Sequence, residues 1–264
     1  MEPYRFRAGT APLLVSMPHV GTYVPPALAA RMTDAALFLP DTDWHLERLY
    51  DFLDALGASV LVATHSRYVV DLNRPPDNAN LYPGQDTTGL VPLDTFAREP
   101  VYRDGAQPTD AEIAARVELH WQPYHAQLQR ELDRLRAAHG YALLWDAHSI
   151  ASEVPRFFPG RLPDLNLGTA GGVACVPAIE TAVAAVARAA PAYSAVLNGR
   201  FKGGYITRRY GRPAVGVHAI QLEVAEITYM DEAPPYRFDE VRAARLRPHL
   251  RAMLEAMLEA ARRG

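Results

Sequence analysis

The chain has 264 residues, 49% hydrophobic and 22% charged, a balance that suits a water-soluble globular fold with a sizeable core. Its formal net charge of −3 gives no field that would draw nucleic acid or an anionic membrane surface, and no run of about 18 apolar residues suggests a membrane span. One cysteine, Cys175, excludes an internal disulfide and points to a reducing, cytoplasmic setting. It lies in GGVACVPAIE with no basic partner nearby, so a nucleophilic role is not expected.

In chain order, PLLVSMP (12–18) reads as a buried strand bounded by prolines. DTDWHLERLYDFLDALG (41–57) has the pattern of an amphipathic helix, capped by Asp41 or Thr42 and ended by Gly57. SVLVATHS and RYVVDLNRP follow as two strands rich in β-branched residues. Residues 75–108 are dense in Pro, Gly, Asp and Thr and read as a long functional loop. The longest helical pattern, 109–139, should be kinked or split at Pro123 and closed by Gly140. YALLWDAHS (141–149) is the next strand, and 150–175 is loop-like. A helix over 178–190, an irregular basic loop at 198–211, a strand at 217–225 and a helix at 239–262 complete the pattern. No internal repeat or low-complexity linker divides the chain, so a single domain over 1–264 is expected. Alternating strands and helices predict an α/β sheet covered on both faces, with active groups at the carboxyl ends of strands.

Polar groups break the apolar runs at four such places. The first strand ends in Pro18-His19, the central one in Asp146-Ala147-His148-Ser149, a third passes through Asp71-Leu72-Asn73-Arg74, and the last holds Glu223 inside QLEVA. Two imidazoles from different strands and one carboxylate would make a three-ligand zinc site whose open position can hold water. Asp43 is the first choice for the carboxylate, because it opens the 41–57 helix close downstream of His19. Asp146 is the lesser option and also suits an orienting role behind His148. Glu223 needs a cationic partner or a catalytic task, since an unpaired carboxylate is expensive to bury. Arg74 beside Asn73 offers a planar fork and an amide for a carboxylate. Arg67 and the loop cations Arg200, Lys202, Arg208, Arg209 and Arg212 would suit a small dianionic substrate. No HExxH, phosphate loop, GxGxxG or GxSxG motif is present.

SMPHVG, DTDWHLERLYDF, SRYVVDLNRP, LYPG, TTGL, WQPYH, LLWDAHSI, GRLPDLNLGT, NGRFKGGYITRRYGRP and GVHAIQLEVAEITYM, in this order from about Pro12 to Glu232, resemble the N-formylglutamate deformylase (amidohydrolase) family. The resemblance implies a three-layer αβα fold with a mixed sheet of about eight strands, of the kind found in zinc carboxypeptidases and aspartoacylase. It implies one Zn²⁺ per chain on His19, Asp43 and His148, with Glu223 as general base. Asn73 and Arg74 would hold a substrate carboxylate, with Arg67 and Arg209 as further cations. The chain departs from the wider carboxypeptidase-like group, which takes two ligands from HxxE, because Thr22 stands three residues after His19. The reaction implied is hydrolysis of N-formyl-L-glutamate to formate and L-glutamate in histidine degradation. A hydrolase of another N-acyl acidic amino acid is the nearest alternative, and a non-catalytic acidic amino acid binder a more distant one. The oligomeric state is not legible.

Overall fold

The computed structural model describes residues 1–81 and 84–263; Tyr82 and Pro83 of the LYPG segment, and Gly264, lie outside the described residues. Strand β1 (Tyr4–Arg7) and strand β2 (Leu13–Met17) precede three single-turn helices, α1 (Pro26–Ala29), α2 (Asp34–Leu37) and α3 (Leu46–Leu49). Strand β3 (Ser59–Ala63) is followed, after a long irregular stretch, by α4 (Asp110–Arg116) and α5 (Gln122–His139). Then come β4 (Ala142–Ile150), β5 (Leu165–Gly168), α6 (Pro177–Ala189) and β6 (Ala195–Leu197). Helix α7 (Tyr205–Tyr210), β7 (Val217–Ala225) and α8 (Glu240–Arg263) complete the chain.

The strands form one mixed sheet in the order β1-β3-β2-β4-β7-β5-β6. The central strands β3, β2, β4 and β7 run parallel, β1 pairs antiparallel with β3 and β5 with β7, and β6 is parallel to β5. Helices cover both faces. Leu13, Val15, Leu143, Trp145, Ala147, Ile220 and Leu222 point to the layer of α6 and α8. Leu14, Leu61, Ala142, Leu144, Val217 and Ala219 point to the layer of α5 and α7. All nine residues of β4 and of β7 are buried, as parallel strands between two helix layers require.

The expected αβα sandwich is therefore present, with seven strands among the described residues and not about eight. RYVVDLNRP forms turns instead of a strand. Val69 N–H donates to Ser66 O, and Ser66 Oγ accepts from Tyr68 N–H. Val69 and Val70 are buried by packing against loop and helix side chains, so their apolar run needs no ladder. The 41–57 helix is also corrected: only Leu46–Leu49 is helical, with a 3-10 turn at Asp54–Leu56 before Gly57. The Asp41 carboxylate accepts from Tyr68 Oη (2.7 Å) and Phe96 N, and His45 takes a left-handed φ of 63°, so tertiary partners override the helical pattern there. The 109–139 pattern splits before Pro123, at a π turn over Val117–Trp121. Proline has no N–H for the carbonyl four residues back, and the widened turn accommodates the gap. Strand β5 and helix α7 arise within segments that read as loops, and β6 in the stretch between the 178–190 helix and the 198–211 loop, where the sequence pattern predicts no element.

Candidate active site

On the α5-facing side of the sheet, three parallel strands change character as they approach their carboxyl ends. Leu14 gives way to Ser16, Ala142 and Leu144 to Asp146 and His148, and Val217 and Ala219 to Gln221 and Glu223. On the opposite face the residues between them, Val15 and Met17, Trp145 and Ala147, Ile220 and Leu222, are apolar. The register sets Asp146 beside Gln221 and His148 beside Glu223, so strand pairing alone brings an imidazole and a carboxylate together. His19 follows the end of β2, and Asp43 lies in the turn before α3, its N–H donating to His19 O at 3.1 Å.

His19, Asp43 and His148 are buried and converge, each offering a ligand atom within 4.8 Å of the others. Asp43 Oδ2 lies 3.0 Å from His148 Nδ1 and 3.7 Å from His19 Nδ1. The far nitrogen of each ring meets another carboxylate: Asp71 Oδ1 is 2.7 Å from His19 Nε2, and Asp146 Oδ2 is 3.1 Å from His148 Nε2. A carboxylate behind each histidine fixes its tautomer and turns its other lone pair toward a metal. Two imidazoles and one carboxylate so braced fit the donor set of a catalytic zinc centre. Asp146 thus stands behind His148, and Asp43 stands on the converging side.

Charge is distributed unevenly among these groups. Burial, together with the Arg67 guanidinium, lowers the His19 pKa below the usual histidine range. Burial also works against charge on His148, yet Asp146 and Asp43 hold its pKa well above that range. Burial opposes ionisation of Asp71, but His19 and Arg67 hold its carboxyl well below the usual carboxylate range. Burial, partly offset by His148, pushes the Glu223 carboxyl up to about 7, where a general base works best near neutral pH. Gln221 Nε2 donates to Glu223 Oε2 at 3.1 Å, while Gln221 Oε1 accepts from Gly204 N–H at 2.7 Å.

These groups open onto a cleft of about 560 Å³, including its mouth. Arg67, Asn73, Arg74 and Arg200 line it together with Asp86, Thr87, Phe96, Phe157 and Phe201. Arg67 is committed to Asp71 at 2.6 Å and lies over the Phe96 ring, so it supports the His19–Asp71 pair. The Asn73 amide is turned inward: Oδ1 accepts from Ile206 N–H at 2.8 Å, and Nδ2 lies 3.0 Å from His148 Nε2. A side chain at Gly204 would stand within 2.6 Å of that amide, which is why glycine is needed there. Arg74 donates through Nε to Thr88 O at 2.8 Å and through Nη1 to Asn73 O at 3.2 Å. Arg209 does not reach the cleft; it is exposed on α7, with its guanidinium 6.0 Å from the Tyr210 ring.

Helix α5 and the π turn before it hold the 71–74 segment from behind. Trp121 Nε1 donates to Arg74 O at 3.0 Å, and His125 Nε2 lies 2.9 Å from Leu72 O. Burial drops the His125 pKa to about 3, so the ring is neutral and its Nε2–H is available to that carbonyl. Asp71, Gln221, Trp121 and His125 drew no role from the sequence. Asp71 interrupting the apolar YVVDL run, and Gln221 two residues before Glu223 on the same strand face, are the signals that could have found two of them. Burial, then Glu180, pushes the Cys175 thiol up to about 12, in keeping with an inert cysteine.

Fold and cleft together define an α/β protein with a buried histidine-carboxylate cluster at the carboxyl ends of its parallel strands. The family model described as N-formylglutamate amidohydrolase matches residues 11–230. The chain belongs to that family. It is 52% identical over 257 residues to an N-formylglutamate deformylase of Pseudomonas aeruginosa, covering 97% of this chain and 96% of the relative. To an N-formylglutamate deformylase of Pseudomonas putida it is 50% identical over 253 residues, covering 96% and 94%. The crystal structure of N-formylglutamate amidohydrolase from Ralstonia eutropha superposes with a TM-score of 0.84 at 25% identity, over the whole of both chains. A gene product of Agrobacterium tumefaciens shares the fold, with a TM-score of 0.70 at 18% identity over 97% of this chain and 95% of its own. Among the described residues, no helix is long and apolar enough to cross a membrane.

Proposed function

We propose that this chain hydrolyses N-formyl-L-glutamate to formate and L-glutamate, using one zinc ion per chain, as a cytoplasmic step in histidine degradation. The observation that carries the reading is the convergence of His19, Asp43 and His148, each histidine backed by its own carboxylate, beside a buried Glu223. The names and near-complete coverage of the Pseudomonas relatives support the substrate. His19, Asp43 and His148 would hold a divalent ion, which would supply Lewis acidity for a carbonyl and for water. Glu223 takes the proton from the attacking water and returns it to the departing amine. Gln221 holds the Glu223 carboxylate through Oε2. Asn73 Nδ2 donates to Oδ2 of Asp146, the carboxylate behind His148, at 3.4 Å, and Arg74 meets a carboxylate of the substrate.

Kinetics with N-formylglutamate, N-acetylglutamate and N-formylaspartate, alongside the metal content of each preparation, test the reading. N-formylglutamate should give the highest kcat/KM, with close to one metal ion per chain. A preference for the acetyl or aspartyl substrate would replace the deformylase reading with that of another N-acyl amino acid hydrolase. Binding without turnover in the metal-loaded protein would leave only a receptor for acidic amino acids.

A further inference from the structure

We propose that Arg200 receives the side-chain carboxylate of the substrate and so sets the preference for glutamate; this rests on the deformylase reading above. A dianionic substrate needs two cationic partners in one cleft, and the histidine-carboxylate cluster fixes the end at which its amide must lie. Arg74, one residue from the Asn73 that touches His148, serves the carboxylate nearest that amide. The second cation must come from elsewhere on the wall. Among the described residues, Arg200 alone of the basic residues at 200, 202, 208, 209 and 212 lines the cleft. Lys202, Arg208, Arg209 and Arg212 are exposed. Arg67 also lines the cleft, but its guanidinium is bound to the buried Asp71 carboxylate.

Arg200 is also built as a receptor. Its Nε donates to Phe157 O at 2.7 Å and its Nη2 to Asp86 O at 3.3 Å. The guanidinium lies over the rings of Phe157 and Phe201, 5.6 and 5.4 Å from their centroids. These carbonyls and rings orient the fork, and the aromatic surroundings strengthen an ion pair formed there. The nearby Asp86 carboxylate is engaged by Arg98 (2.6 Å) and Arg156 (3.1 Å).

The test compares N-formyl-L-glutamate with N-formyl-L-glutamine, which has the same shape without the charge, in wild type, Arg200→Gln and Arg200→Lys, with metal content and melting curves recorded. Wild type should prefer the glutamate substrate. In Arg200→Gln the glutamate-to-glutamine ratio of kcat/KM should fall by about 10²-fold, the scale of a charge-assisted bond, with most of the loss in KM. Arg200→Lys keeps the charge but not the fork, and its ratio should fall less. If Arg200→Gln does not fold, the reduced ratio in Arg200→Lys carries the test. Equal losses on both substrates, or an unchanged ratio, would overturn the assignment. A wild type that cleaves neither substrate would instead overturn the deformylase reading.

Discussion

Glu226 is a buried acid with no part in the proposed chemistry. Ser149 Oγ donates to its Oε1 at 3.4 Å, and burial, reinforced by Asp43, holds its carboxyl well above the ordinary 4.5. Between 4.5 and that raised value the folded chain keeps a proton that the unfolded chain has lost. Stability from this group is therefore fully present below about pH 4.5 and is lost as pH rises through the folded pKa, by up to about 1.4 kcal/mol per pH unit. Glu226→Gln should raise the melting temperature of chelator-treated protein at pH 8 and change it little at pH 4.5. A gain that grows toward acid pH would contradict that sign. Asp146 is testable at the same scale. Asp146→Asn should weaken zinc binding about 10- to 100-fold in a calorimetric titration, while Asp43→Ala should abolish it. The reverse order of effects would make Asp146 the ligand and Asp43 the support.

Each element shows how far the sequence could be read. Strands β4 and β7 were legible nearly to their ends, because largely apolar runs with an acid near the carboxyl end have few alternative structures. Asp146 and His148, and Gln221 and Glu223, sit within the strands on one face, while Trp145 and Ala147, and Ile220 and Leu222, alternate with them on the other. Such a pattern can be read from alternation alone. Asp41 and Asp43 misled for the opposite reason. First-turn acids predict a helix, but here they bend to Tyr68, Phe96 and His148, partners 27 to 105 residues away. The same distance hid Asp71, 52 residues from His19 in sequence, and the WQPYH helix start behind it. That start gives a prediction of its own. Trp121→Phe keeps the ring but loses the N–H to Arg74 O, so the arginine should be less well placed. KM for N-formylglutamate should rise several-fold, on the scale of ~1 kcal/mol for one neutral hydrogen bond, with kcat and metal content nearly unchanged. An unaltered KM would remove the brace from the account.

At the scale of the molecule, strand order decides which distant residues meet. Placing β2, β4 and β7 side by side and parallel gathers residues 16–19, 146–148 and 221–223 at one sheet edge, with the 41–45 and 71–74 turns closing over them. Order and handedness of that kind follow from packing both helix layers, which no local pattern records. The outer wall draws on the 86–96 loop, Phe157 and Arg200; the sequence grouped Arg200 with four other loop cations, and only the fold distinguishes it as the one of the five that lines the cleft. The central claim is that Glu223 moves the proton beside a metal centre it does not itself complete. Glu223→Gln, assayed for zinc stoichiometry and for turnover of N-formylglutamate in the same preparation, tests it most directly. The account predicts unchanged zinc and a kcat lower by about 10²- to 10⁴-fold. Turnover close to wild type, or loss of zinc together with activity, would contradict it.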